Sequence, residues 1–241
     1  EPGDPYAVPP PARPFAREVS FDPRKLRIAC TTVSPLGLPV DPEIVAAVDE
    51  TANLCAEFGH DVDAAAPVYD IAALAAAWRL IAGVTALGAV TRASRITGAD
   101  ALAQLEPVNI AWLTEAAAAS ASAYAGAIAT VHQMGRRMAA FFADWDVFLS
   151  PVTSALAPPL GLLAGAGKGV DDFNRMFWEH APFTCVFNAS GGPAMSLPLA
   201  RSRGGLPIGV HFGADYAQDA LLFALAGQLE RARPWPVTAP A

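Results

Sequence analysis

The stretch FNASGGPAMSLPLARSRGGLPIGVHF, from Phe187 to Phe212, gathers the residues of this chain that most invite a chemical reading. Ser190 beside Gly191 and Gly192 has the residue types of a serine nucleophile next to its oxyanion donors. Such a serine needs a base in reach and backbone N–H groups aimed at the developing charge. The G-x-S-x-G arrangement is absent, because Asn188 stands two positions before Ser190. The glycines then read as backbone that turns sharply or is approached closely. A phosphate cradle would be a strand, a Gly-rich loop and a helix bearing Lys and Ser/Thr, whereas Pro193 and a strand pattern follow here. Asn188-Ala189-Ser190 also fits the N-glycosylation triplet, but no secretory leader is in view and the match reads as chance.

The other candidates are as bare. His60, His132, His180 and His211 have no metal-ligand spacing among themselves or with the cysteines, so neither a metal nor a cofactor is expected. His211 lies in a strand pattern and reads as a packed or pore-lining imidazole rather than a base. Asp61/Asp63 and Asp171/Asp172 read as solvated or capping carboxylates. Cys30, Cys55 and Cys185 are odd in number and widely spaced, which predicts reduced core thiols in a cytoplasmic protein. No complete catalytic constellation assembles from spacing.

The elements that must position these residues are easier to read. The chain has 241 residues, 53% hydrophobic and 16% charged, with net charge −7 and no Lys/Arg-rich run, which argues against nucleic acid as a partner. Residues 1–23 are proline-crowded and aperiodic, predicting an extended connector. LRIACT predicts a strand with Leu26, Ile28 and Cys30 on one face. Asp41-Pro42 predicts a helix start, with Ile44, Val48, Cys55 and Phe58 apolar and Gly59 as the stop. DVDAAAP is a second strand, completing a strand–helix–strand unit.

Helical, alanine-rich sequence follows from Ile71 to about Phe142, punctuated at Gly98 and Pro107. Its first part, IAALAAAWRLIAGVTALGAV, has the length of a membrane span but contains Arg79. A charge near mid-bilayer costs at least about 2.5 kcal/mol, so this is read as a buried or half-buried helix and no membrane is expected. VFLSP predicts a strand, 152–170 a long loop, and DDFNRMFWEHAPF a helix with Asp171 and Asp172 at its positive end. AMSLPL and IGVHF form a hairpin turning at Gly204-Gly205. Asp215 and Gln218 look like a capping-box variant before a last helix carrying Leu222, Leu225 and Leu229.

N-x-x-G-x-P-A-x-S-x-P-L, then G-L-P-I-G-V, then a D-x-x-L-L helix, resembles the C-terminal half of the amidase signature family. Here it is carried by Asn188, Gly191, Pro193, Ala194, Ser196, Pro198, Gly205-Leu206-Pro207, Gly209, Asp219 and Leu221-Leu222. EPGDPYA resembles that family's connector, and DVFLSPVTS its late strand and loop. The variant of the tail is most similar to the bacterial branch that includes the 6-aminohexanoate cyclic dimer hydrolases. The resemblance implies an α/β fold, a mixed β-sheet flanked by helices. Residues 1–25 would be a connector from an N-terminal catalytic half, and 26–241 the C-terminal α/β portion.

In that family a serine attacks the amide carbonyl, a second serine on a cis peptide bond relays protons, and a lysine is the ultimate base. No G-G-S-S-G type run occurs here, and neither Lys25 nor Lys168 matches the family lysine, so no catalytic residue is carried over. The resemblance implies a pocket wall instead: Trp178, Thr184, Phe187 and Asn188 in the pocket, Pro151 and Thr153 at its rim. It implies a small-molecule amide as substrate and an N-terminal half of the same amidase as partner. The chain by itself would be inactive and, with apolar surface uncovered, would self-associate. Glutaminase-type relatives carry an aspartate where Ala181 stands, which disfavours an amidotransferase A subunit and favours an apolar or aryl amide. A non-catalytic scaffold or partner-binding subunit is the reading of a different class.

Overall fold

Side chains of β1, β3 and β5 alternate between the two sheet faces, whereas the register of β4 shifts between Leu197 and Ala200. The computed structural model describes Gly3 and residues 6–236; residues 1–2 and 4–5 of the expected connector, and 237–241, lie outside the described residues. The strands are β1 (Arg27–Cys30), β2 (Asp61–Ala64), β3 (Val147–Pro151), β4 (Ala194–Arg201) and β5 (Pro207–Ala214), in the order β2-β1-β3-β5-β4. β1 runs parallel to β2 and β3, and β5 runs antiparallel to β3 and β4, so the sheet is mixed as expected.

One face carries Ile28, Val147, Leu149, Val210 and Phe212 against the helices α2 (Pro42–Glu57) and α8 (Asp219–Ala232). The other carries Ala29 and Phe148 against α3 (Ile71–Thr97), α5 (Ala121–Phe142) and α7 (Cys185–Ser190). Because both faces are covered, Ala29 is as buried as Leu26 and Ile28.

α2 starts as its sequence dictates: Asp41 Oδ1 accepts from Glu43 N at 2.8 Å, and Pro42 occupies the first turn, where its missing N–H costs nothing. Ile44, Val48 and Cys55 are buried, whereas Phe58, at the C-cap, is exposed. α3 is capped by Asp70 and ends at Gly98 in the left-handed region, φ 70°. α4 (Pro107–Ala117) follows a 3-10 turn, and α6 (Val170–His180) follows the long loop. His60 is buried and structural; its Nδ1 accepts from Leu26 N at 3.2 Å, so Nε2 carries the proton shared with Gln228 Oε1 at 2.9 Å.

Three expectations need correction. The connector is not wholly extended: α1 (Phe15–Glu18) forms a single turn packed on α8, where the absent side chain of Gly227 admits the Val19 backbone. The turn expected at Gly191 forms, with φ 76°, but it closes a short helix, α7, that the sequence reading did not include. The capping box does not form. Asp215 Oδ1 accepts from Tyr216 N at 2.8 Å, Ala217 adopts φ 65°, and α8 begins after Gln218 with no side-chain cap.

Candidate functional site

An apolar concavity is built where α3, α4 and α6 meet. Gly83 allows the approach of α4, since a Cβ there would lie 2.9 Å from Ala116 Cβ and 3.0 Å from Trp112 Nε1. Trp112 Nε1 donates to Arg79 O at 3.0 Å, joining α4 to α3. The Arg79 guanidinium then spans the three helices, donating to Glu115 of α4 and, at 2.6 Å, to Asp171 of α6. Partial burial pulls the Arg79 pKa down, and the bonds to Asp171 and Glu115 more than reverse this, holding it above the usual guanidinium value.

Around this clamp lie two adjoining cavities of about 600 and 250 Å³. Leu36, Leu38, Leu80 and Glu179 complete the larger. Trp78, Val108, Phe173 and Phe177 complete the smaller. The two share Arg79, Trp112, Asn174 and Trp178.

The lining can bind but not attack. It offers no serine, cysteine, lysine or histidine. Its carboxylates are already engaged, Glu115 with Arg79 and Glu179 with Arg175 at 3.6 Å. Both lysines are elsewhere: Lys25 pairs with Asp61 at 2.7 Å, and Lys168 Nζ donates to Ala164 O at 2.6 Å. The Ser190 hydroxyl is used at the end of α7, donating to Phe187 O at 3.4 Å and accepting from Gly192 N at 3.3 Å. Gly192 fulfils the close-approach expectation, because a Cβ there would lie 2.8 Å from Ala214 O.

A serine–histidine contact does exist between Ser150 Oγ and His211 Nδ1, 2.9 Å apart, but both residues are buried in the sheet and closed to substrate. Burial pushes the His211 pKa down to about 4. The thiols of Cys30, Cys55 and Cys185 are free, and burial pushes them up to about 11, 12 and 12, which leaves no thiolate nucleophile near neutrality.

Of the residues expected at the pocket, Trp178 lines both cavities. Phe187 shares a buried cluster with Trp178 and stacks on Phe148 at 6.3 Å, as core rather than lining. Asn188 is exposed and faces a different opening of about 670 Å³, beside Arg136 and Tyr216. Thr184 is half-buried at the start of α7. Pro151 is buried at the end of β3, and Thr153 Oγ1 donates to Ala155 O at 2.8 Å in the following loop. Arg79, Trp112, Glu115 and Asn174 were not foreseen as lining. Their available signal was Arg79, a charge inside an apolar helix that had to find partners.

The family profile described as Amidase matches residues 1–223. The 6-aminohexanoate-cyclic-dimer hydrolase of Paenarthrobacter ureafaciens is 29% identical over 252 residues, covering 99% of this chain and 50% of that enzyme. A putative amidase, AmiC, of Mycobacterium tuberculosis (strain ATCC 25618 / H37Rv) is 33% identical over 216 residues, covering 88% of this chain and 44% of that protein. A solved structure of 6-aminohexanoate cyclic dimer hydrolase superposes with a TM-score of 0.86 at 29% identity, covering 98% of this chain and 50% of that one. The chain thus spans about half the length of the curated relatives it matches.

Proposed function

The chain belongs to the amidase signature family, and on that premise we propose that it forms the C-terminal part of an amidase that hydrolyses carboxamide C–N bonds. Its role is to complete the sheet and to wall the cavity that receives the substrate. The observation that carries this reading is the chemistry of that cavity: a largely apolar, tryptophan-lined space whose walls supply no serine, cysteine, lysine or histidine. The reacting serine, its relay serine and the lysine are then contributed by an N-terminal half.

In the reaction the serine oxygen bonds to the carbonyl carbon, the C–N bond breaks, and the amine leaves with a proton. Water then cleaves the acyl-serine to release the acid. This chain's residues bind and orient: Trp178 and Trp112 exclude water from the substrate's apolar part, and Arg79 holds the three helices in register around it.

The substrate class is a linear or cyclic amide with an uncharged, apolar body. One relative is named for the cyclic dimer of 6-aminohexanoate, a cyclic amide. Ala181, the C-cap of α6, offers no counter-charge to an amino-acid ammonium, which weighs against a glutamine-type substrate. The free thiols fit a reducing, cytoplasmic setting. Turnover of a linear amide, assayed on the chain alone and together with its N-terminal half, tests the proposal. Activity is expected only with both halves; hydrolysis by the chain alone would overturn the placement of the catalytic residues.

A further inference from the structure

We infer that residues 6–22 are a releasable strap: closed over α8 and the Gly191–Pro193 turn, it opens as a unit about Pro23 while the sheet stays folded. The strap is independent of the amidase reading, because it concerns how this segment is fastened and not what the cavity receives.

The segment is a small structure of its own. Arg17 N donates to Pro14 O at 2.9 Å, and Ser20 N to Arg17 O at 3.2 Å, closing successive turns. Arg13 Nε donates to Glu18 Oε1 at 2.7 Å, and its guanidinium stands 4.3 Å from the Phe21 ring centroid. All of these contacts lie within the segment, so opening leaves them intact.

Its outward fastenings are few. Phe15 stacks on Phe223 of α8 at 5.3 Å. Val19 runs so close to Gly227 that a Cβ there would collide with Val19 O. Arg231 of α8 donates to Val19 O and to Asp22 Oδ1, both at 2.5 Å. At the other end Tyr216 Oη donates to Ala7 O at 3.4 Å, and Tyr6 Oη lies 3.3 Å from His132 Nε2. Between these points Pro9, Pro10 and Pro11 bridge a hollow of about 350 Å³ beside Gly191 and Pro193.

Both members of the Arg231–Asp22 pair are exposed to solvent, so their attraction is weak and screened by salt. Past the hinge the chain is anchored separately. Arg24 binds the Asp146 carboxylate through two hydrogen bonds, at 2.8 and 3.0 Å, and Arg27 N donates to it at 2.8 Å. Opening therefore stops at Pro23, whose φ is fixed by its ring, and does not run into β1. Few buried apolar contacts and exposed polar ones are the conditions for such local release.

Trypsin needs an extended segment, and the Arg17–Glu18 bond lies in α1 with Glu18 buried. The Arg203–Gly204 bond, in the exposed turn between β4 and β5, serves as reference. The ratio of cleavage at the two bonds, read by mass spectrometry on the full chain, reports the open strap. Arg231→Ala is expected to raise that ratio on the order of tenfold, the worth of one hydrogen bond from a charged donor. Gly227→Ala should raise it as well, although alanine is the better helix residue and favours α8 itself. Sodium chloride at about 0.5 M should raise it in the unmodified chain, which carries the test should neither variant fold. The fragment left by the Arg17 cut is expected to keep the tryptophan emission of the intact chain.

An unchanged ratio in the folded variants or at high salt would overturn the strap. So would Arg17 cleavage that appears only as the tryptophan emission shifts to that of the unfolded chain, since the segment would then belong to the same cooperative unit as the sheet.

Discussion

His211 is a histidine whose surroundings impose its protonation state. Its ring is 2% exposed, meets Phe187 edge to face at 5.1 Å, and bonds through Nδ1 to Ser150, while Nε2 has no partner among the described residues. Burial lowers its pKa from the usual 6.5 to about 4, so the folded chain refuses a proton that the unfolded chain takes up. The resulting stability is fully present above pH 6.5 and is lost progressively as pH falls toward 4. The loss integrates to about 3 kcal/mol at 1.36 kcal/mol per pH unit. Urea unfolding between pH 7 and pH 4 should show this loss, and His211→Phe should remove that proton's share of the slope. Asp146 acts in a lower window. Hydrogen bonds from Arg24, at 2.8 and 3.0 Å, lead in holding its carboxyl below the usual range, aided by Arg27 N. Its stabilisation is present above the ordinary carboxylate pKa of about 4 and fades as pH drops through the lower folded value. Asp146→Asn should cost about 1–2 kcal/mol near neutrality and flatten the acid limb below the His211 window.

At the scale of elements, α7 is held by what it sits on. The Phe187 ring lies against Gly213 of β5, where any Cβ would run into it. Gly213→Ala is expected to cost about 2–3 kcal/mol through overpacking. Phe187→Leu should return part of that in the double variant, and denaturant unfolding of the four-member cycle checks it. The same contact explains what was legible beforehand. β1, β3 and β5 follow from apolar patterns of strand length, and α2 from Asp41-Pro42 and Gly59, because local chemistry suffices for each. α7 is six residues long and α1 four, too short for a helical period to register, and both depend on a distant glycine, Gly213 or Gly227. The last helix was legible from its leucines but not its start, which the Ala217 turn sets instead of a capping side chain. In the candidate site Trp178 could be named from its place before the motif-bearing tail. Its partners could not, because Arg79 and Asp171 stand 92 positions apart and meet only when α3, α4 and α6 pack.

For the whole molecule, several large apolar side chains stand uncovered. The apolar 18-residue window of α3 is only 22% buried, and Leu160, Leu162 and Val68 are among the exposed large side chains. β4 stands at the end of the sheet, with Ser196 and Pro198 uncovered and, among the described residues, no strand beyond it. Arg79 within α3 is committed to Glu115 and Asp171, so the apolar helix is pinned to α4 and α6 by ion pairs. The proposed N-terminal half accounts for this surface: it would cover α3 and extend the sheet from β4 while bringing the nucleophile to the cavity. By itself, the chain should associate with copies of itself in a concentration-dependent way. Mixed with the N-terminal half, it should sediment as a one-to-one complex, with amide exchange slowed along β4 and α3. Sedimentation velocity and hydrogen exchange read both. A chain that remains monomeric at concentrations on the order of 100 μM, where weak contacts worth about 5 kcal/mol already show, and that gains no protection when the N-terminal half is added, would remove the proposed partner.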